Sequence, residues 1–425
     1  MRWLSSRFLI MLELALNQLR SLEFPMDRTL HHFFRERPAL GGNERHTLAE
    51  TLFTWVRHRD SLQWLVGENA STRRLALLTL VRHQGIGIGQ LEGIITSEEM
   101  TWLQNIKAQG FNKLSEASLA IQHDCPEWLF DKLSVELGEQ FLPTWRALQR
   151  AAPLDLRINP LKISRENAIN TLTEAGLEPV ATPYSPLGIR LNGRPDIQKL
   201  PLFKSGAIEV QDEGSQLLGL TLGATRHHTV IDFCAGAGGK TLLLGALMNN
   251  QGRLYAFDTS AIRLDKLKPR LKRASLSNVM VHVLQNENDT KVKRLAGKVD
   301  KVLVDAPCSG LGTLRRNPDL KWRQSPESLV ELKDTQQRIL TSASRLVKKG
   351  GQIVYGTCSI LAEENEQIIN AFLETHPDFH RVDLRGRLQN IAPALVETMP
   401  SESLQLWPHL HQTDGFFGAL LEKNA

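Results

Sequence analysis

The chain has 425 residues, 41% hydrophobic and 23% charged, with a formal net charge of +5. That length suits two or three domains of ordinary globular composition, and the positive balance fits a polyanionic partner without requiring one. Four cysteines (Cys125, Cys234, Cys308 and Cys358), with no Cys-x-x-Cys or Cys/His ligand spacing, argue against a disulfide framework and a metal site and suggest a reducing cytoplasm.

In chain order, the apolar run 8–12 is broken by Glu13 and is too short to cross a membrane, and no small-residue cleavage pattern follows it. Leu12, Leu16 and Leu19, spaced four and three apart, predict an amphipathic helix. Helical spacing continues through Leu48, Leu52, Trp55 and Val56, so residues 1–145 read as an all-helical domain. Arginine and histidine are interspersed there, at Arg45, His46, Arg57, His58, Arg59, Arg73, Arg74, Arg82 and His83. They read either as solvated faces of a bundle or as an RNA-docking surface.

The pattern changes at Ala151-Ala152-Pro153. Residues 154–158 look like a strand, ended by Asn159-Pro160. Ser164 can cap a helix over 165–175, with Gly176 as its stop. Residues 188–191 form another strand signal, followed by an Asn192-Gly193 turn. Residues 146–225 are therefore expected to form a small α/β module.

From Thr229 onward strands and helices alternate. Strands are predicted at 230–233, 254–257, 279–284, 302–304 and 353–355, with helices at 241–248 and 329–347 and a closing antiparallel strand at 416–421. That alternation predicts a mostly parallel sheet covered on both faces, a Rossmann-like α/β domain over 226–425.

The first of these strands runs into Asp232-Phe233-Cys234-Ala235-Gly236-Ala237-Gly238-Gly239-Lys240-Thr241. A P-loop would need glycine at 234, and a dinucleotide fingerprint would need one at 241, so neither fits. The next strand ends in Asp258, about 20 residues on, where an acid can bind a ribose diol. A glycine turn with that acid and no phosphate-binding feature suits an adenosine without pyrophosphate, and S-adenosylmethionine fits. The plain alternative is an ordinary turn with an exposed aspartate.

Two cysteines follow strand-like runs, in Val304-Asp305-Ala306-Pro307-Cys308-Ser309-Gly310 and Gly356-Thr357-Cys358-Ser359. Strand ends of an open α/β sheet face the ligand crevice. Carbon 5 of a pyrimidine is too electron-poor to attack a methyl sulfonium. Adding a thiolate to carbon 6 makes carbon 5 enamine-like and nucleophilic. Such a site needs a nucleophile, an acid at ring nitrogen 3 and a late base, which Asp305, Cys308 and Cys358 can supply. For Cys125, and for Cys234 as well, small buried apolar packing is the simpler reading.

These residues resemble RNA 5-methylcytosine methyltransferases of the Sun/RsmB type. The resemblance covers roughly residues 208–421. It rests on Val210-Gln211-Asp212-Glu213, the glycine turn, Asp305 to Gly310, Arg316-Asn317-Pro318-Asp319-Leu320-Lys321-Trp322, Gly356 to Ser359 with Glu364-Asn365-Glu366, and Asp414-Gly415-Phe416-Phe417. It implies a class I S-adenosylmethionine-dependent methyltransferase fold with Cys358 as nucleophile and Cys308 assisting release. Asp305 would contact the cytosine edge with Lys240 nearby. Spacing alone does not choose between the cysteines. The implied cofactor contacts are Cys234, Ala235, Gly236, Ala237, Gly238, Gly239, Lys240, Asp258 and Asp305. Where the family has aspartate after the third strand, counting back from Asp305 gives Asn286; a local shift would give Asp289.

The helical region resembles a NusB-like RNA-binding domain at Asp27-Arg28, Arg45 and Thr54-Trp55-Val56. Cys125-Pro126-Glu127-Trp128-Leu129 resembles the family's Pro-x-Trp junction. The middle module looks like the family's small RNA-contacting, RRM-like or ferredoxin-like domain. Arg316 and Lys321 are expected to touch RNA phosphates. The expected function is cytosine carbon-5 methylation of 16S ribosomal RNA, with RNA as partner and neither metal nor membrane involved; a monomer would suffice. Alternatives are an RNA-binding ribosome-assembly factor with a degenerate cofactor site, or methylation of tRNA, DNA cytosine or RNA uridine.

Overall fold

Periodic leucines build the first part of the chain. Ser5 accepts a hydrogen bond from the Phe8 N–H and caps helix Ser6–Leu19, whose Leu12, Leu16 and Leu19 are buried as predicted. Helices Gly42–Arg57 and Thr72–His83 pack against it through Leu48, Leu52, Trp55, Val56, Leu75 and Leu78. The computed structural model describes residues 3–67, 70–109, 111–193, 195–399 and 402–425. It divides into two compact units, Met1–Gln149 with Leu314–Pro326, and Arg150–Thr313 with Glu327–Ala425. No strand occurs among the described residues of the first unit.

The segment Leu314–Pro326 was read in sequence as part of the last domain, yet it belongs to the helical unit. Trp322 packs on the helical core and donates its indole N–H to the Val56 carbonyl at 2.7 Å. Asp319 accepts the Met26 N–H at 3.2 Å, and buried Arg57 donates to the Arg315 carbonyl at 2.8 Å.

The second unit begins with a four-stranded antiparallel sheet. Its strands are β1 (Leu154–Ile158), β2 (Pro179–Ala181), β3 (Gly188–Leu191) and β4 (Ile208–Val210), in spatial order β2-β3-β1-β4. Alternation along the strands gives it two unlike faces. Leu156, Ile158, Ile189, Leu191 and Ile208 bury against Ala168 and Leu172 of helix Arg165–Glu174. The other face carries Asp155, Arg157 and Glu209. Arg157 donates to the Gly239 carbonyl at 2.7 Å, and Glu209 pairs with Arg270 at 3.0 Å and with Arg273. That polar face is thus committed to the glycine turn and to helix Ala261–Ala274. Any RNA contact made by this module must use its other surfaces.

The larger sheet contains β5 (Thr229–Asp232), β6 (Arg253–Asp258), β7 (Val279–Val283), β8 (Val299–Asp305), β9 (Val347–Thr357), β10 (Phe379–Val382), β11 (Leu404–Leu406) and β12 (Phe416–Lys423). Its order is β10-β12-β9-β8-β5-β6-β7, with β11 beside β12. Strands β5 to β9 pair in parallel, while β12 runs antiparallel to β9. Val302, Leu303, Val304, Ile353, Val354 and Tyr355 are all fully buried, as a sheet covered on both faces requires. Strand order reverses between β5 and β8, which opens a crevice at their carboxyl ends. Among the described residues no helix is long and apolar enough to cross a membrane.

Candidate active site

The crevice is a cavity of about 640 Å³. Its walls include Phe233 to Ala237, Gly239, Lys240, Asp258, Arg263, Glu287, Asp305 to Cys308, Thr335 and Cys358. The glycine turn works through two left-handed residues, Gly236 (φ 56°) and Gly238 (φ 86°). Gly238 does not line the cavity. It makes the turn into helix Gly239–Leu247, and a Cβ there would lie 2.1 Å from Leu267 Cδ1. Asp258 ties the turn to β6: its carboxylate accepts the Gly236 N–H at 2.8 Å and the Ser260 N–H at 2.7 Å.

Across the cavity, Lys240 donates to Asp305 at 2.7 Å. Burial works against the ammonium charge, but the Asp305 carboxylate outweighs it and raises the Lys240 pKa. Asp232 lies fully buried beside this pair. Its pKa is pushed up to about 7, first by desolvation, with the Thr241 hydroxyl bond at 2.6 Å opposing the shift. The second Asp232 oxygen, Oδ1, has no partner among the described residues.

The two thiols meet because β8 and β9 are neighbours in register. Asp305 pairs with Gly356, so the chain beyond each strand delivers Cys308 and Cys358 to one place. Their sulfurs are 3.4 Å apart and both line the cavity. The Cys308 thiol is held well above its ordinary pKa by its hydrogen bond to Cys358, then by burial and by the negative charges of Cys358 and Glu364. Cys234 also faces the cavity, with burial pushing its thiol up. Cys125 is buried, as the simpler reading had it.

Two expected contacts are corrected. Lys321 is 0% exposed, and its ammonium donates to the carbonyls of Arg57 at 2.8 Å and Asp124 at 2.6 Å, beneath Trp145 and Trp322. Burial drives its pKa down to about 8, with Asp124 opposing. It is an internal strut of the helical unit rather than a phosphate contact. Asn286 is exposed and its side-chain oxygen accepts the Asn288 N–H at 2.9 Å, while the next residue, Glu287, lines the cavity. The alternative position, Asp289, caps helix Thr290–Arg294 instead. Arg316 is half-buried in the helical unit.

The interspersed basic residues of the helical unit do mostly internal work. Arg57 is buried, Arg73 pairs with Glu99, and Arg45 donates to the Leu40 carbonyl at 2.9 Å. His58 bonds Asp124 at 3.0 Å and stacks on His83 at 3.9 Å, whose pKa burial lowers to about 3. Among the described residues no group of three or more His, Cys, Asp or Glu could hold a metal ion.

A sheet of this order, with a glycine turn and a ribose-ready acid at its switch point, defines a Rossmann-like methyltransferase. Comparisons with known proteins give its family. Residues 219–422 match the model of the 16S rRNA methyltransferase RsmB/F family, and residues 125–198 match the RsmF/B-like ferredoxin-like domain. The chain is 37% identical over 327 residues to a probable ribosomal RNA small subunit methyltransferase B of Synechocystis, covering 75% of this chain and 72% of that one. It is 31% identical to the corresponding protein of Bacillus subtilis, covering 80% and 77%. The crystal structure of PH0851 superposes with a TM-score of 0.80 at 28% identity, covering 99% of each chain. A methyltransferase homologue from Pyrococcus horikoshii gives 0.60 at 27% identity, covering 72% and 97%. The chain belongs to the RsmB/F family and is an RNA methyltransferase.

Proposed function

We propose that this chain methylates carbon 5 of a cytosine in small-subunit ribosomal RNA, with S-adenosylmethionine as methyl donor. The observation that carries the proposal is the pair of sulfurs, 3.4 Å apart, on the wall of a cavity that also holds Lys240, Asp305 and the glycine turn.

The cavity's residues fit the cofactor. Asp232, Asp258, Glu287 and Asp305 surround it with carboxylates suited to a cationic ligand, and Asp232 Oδ1 is buried without a partner. Bound there, the cofactor supplies an electrophilic methyl group. The protein's residues do the rest. The thiolate of Cys358 adds to carbon 6 of a base taken out of its stack. Lys240, held charged, is the donor available to the ring's polar edge, and Asp305 is the acceptor. After methylation the carbon-5 proton must leave before the carbon–sulfur bond breaks and Cys358 departs. Cys308, its sulfur 3.4 Å from that of Cys358, is assigned the release step: as a thiolate it takes the carbon-5 proton, and the electron pair of that carbon–hydrogen bond expels the Cys358 thiolate. Single-stranded or looped RNA is the expected substrate, because unstacking then costs least. Arg316 remains the proposed phosphate contact of the segment after Cys308.

Denaturing gels with labelled RNA test the roles. Cys358→Ala is expected to abolish turnover and form no adduct, whereas Cys308→Ala accumulates a covalent protein–RNA band. The reverse pattern overturns the assignment. Wild-type protein that yields no methylcytosine in ribosomal RNA overturns the function. The rival reading is an assembly factor with a degenerate cofactor site, for which Asn286 in place of the family's aspartate would be the cause. Cofactor titration separates the two: no measurable binding favours the rival, and micromolar binding favours the enzyme.

A further inference from the structure

Regular strand pairing stops before either cysteine. β8 ends at Asp305 and β9 at Thr357, so another element must fix the two thiols. Beneath them lies Glu364, which is 0% exposed. Its Oε1 accepts the Ser309 N–H at 2.8 Å and the Gln336 amide at 3.0 Å. Its Oε2 accepts the Ser309 hydroxyl at 2.5 Å and the Ser359 hydroxyl. Ser309 and Ser359 are the residues that directly follow Cys308 and Cys358. The same Gln336 amide also reaches the Pro307 carbonyl at 2.9 Å. Glu364 is itself anchored: the Tyr355 hydroxyl of β9 donates to its carbonyl at 2.7 Å, and neighbouring Asn365 donates to the Ser359 carbonyl at 3.0 Å.

A carboxylate buried among neutral donors carries a desolvation cost that its hydrogen bonds must offset. The ligands it gathers explain its presence. All four of its donors come from the two cysteine loops or from the side chain that braces one of them. We propose that Glu364 is a positioning residue, whose carboxylate ties Ser309 to Ser359 and so holds the Cys308 and Cys358 sulfurs within reach of the same pyrimidine. This inference rests on the proposed reaction for its purpose but not for its geometry. The carboxylate's negative charge also raises the Cys308 pKa.

Two variants separate reach from charge. Glu364→Asp keeps the charge but is one methylene too short to span both serines. Glu364→Gln keeps the reach and loses the charge. Dibromobimane reports the geometry without RNA: each thiol loses a proton and displaces one bromide, and fluorescence rises when both have reacted. Cys308→Ala is its blank. Glu364→Asp is expected to slow this bridging about tenfold or more and to lower kcat similarly, with cofactor Kd within twofold of wild type. Glu364→Gln is expected to shift the alkylation of Cys308, measured with Cys358→Ala present, to lower pH. Bridging and kcat within twofold of wild type in Glu364→Asp overturn the inference. If Glu364→Asp does not fold, Ser359→Ala, which cuts one side of the tie, decides: bridging within twofold of wild type there overturns the inference. A wild-type protein that bridges rapidly yet methylates no RNA refutes the proposed function and leaves the positioning role standing.

Discussion

Three glycines of one turn should tolerate alanine very differently. Gly238 sits at φ 86°, and a Cβ there would meet Leu267 Cδ1 at 2.1 Å, Cγ at 2.9 Å and Cδ2 at 3.2 Å. The left-handed backbone costs an L-residue about 1–2 kcal/mol, and forced overlap in a packed core about 1–3 kcal/mol more. Gly238→Ala should therefore lose about 2–5 kcal/mol. Gly236 has φ 56° with nothing within 4 Å of its would-be Cβ, so Gly236→Ala pays only the backbone term of about 1–2 kcal/mol. Gly239 has ordinary backbone, and its nearest would-be neighbour is Gln211 Nε2 at 3.7 Å. Gly239→Ala should be neutral or up to about 1 kcal/mol stabilising. Urea unfolding followed by circular dichroism measures the series. Tryptophan fluorescence serves as the control, since Trp3, Trp55, Trp64, Trp102, Trp128, Trp145 and Trp322 lie in the helical unit and Trp407 alone lies in the other. A double-mutant cycle with Leu267→Ala should return about 1–3 kcal/mol of coupling at position 238, because the clash disappears with the leucine. Equal costs at 236, 238 and 239, or no coupling to Leu267, would refute the geometry of the turn.

Other expectations follow from burial and charge. Lys321→Ala removes the ammonium that donates to the Arg57 and Asp124 carbonyls and empties a buried volume, and should destabilise the helical unit by about 2–4 kcal/mol, read from tryptophan fluorescence. It should not change the salt dependence of RNA binding; a reduced slope would restore Lys321 as a phosphate contact. Arg316→Gln, by contrast, should weaken RNA binding and lower that slope by about one. Asp232 has a folded pKa of about 7 against 3.8 unfolded, so the stability it contributes is full below the lower value and is lost as pH rises through the higher. Asp232→Asn should therefore gain in Tm over cofactor-free wild type as pH is raised from about 5 to about 8, and a constant difference would show that Asp232 does not titrate there.

Much of the fold was legible because its signals are local. Leucine spacing gave the helix at Ser6–Leu19, alternation and punctuation gave β1 and β3, and apolar runs located β5 to β8 to within a few residues; only the second half of β9 was read. β10 and β11 went unread because both are short strands held by β12. Helix Ala261–Ala274 fills the place that strand–helix alternation expects between β6 and β7, burying Leu264, Leu267 and Leu271, with Pro269 inside. Glu364 stands in a motif with nearby Ser359, but nothing local shows that it also gathers Ser309 and Gln336, 55 and 28 positions away.

By itself the order of residues determined the kinds of elements, the glycine turn, the acid after β6 and the presence of two thiols after apolar strands, since each depends on neighbours within a few positions. Tertiary structure alone decided that Lys321 points inward, that Glu287 rather than Asn286 meets the cavity, and that one carboxylate spans both cysteine loops. Those facts depend on which side chains share a buried volume, and that is settled only when strands 50 residues apart, such as those leading to Cys308 and Cys358, pair in register.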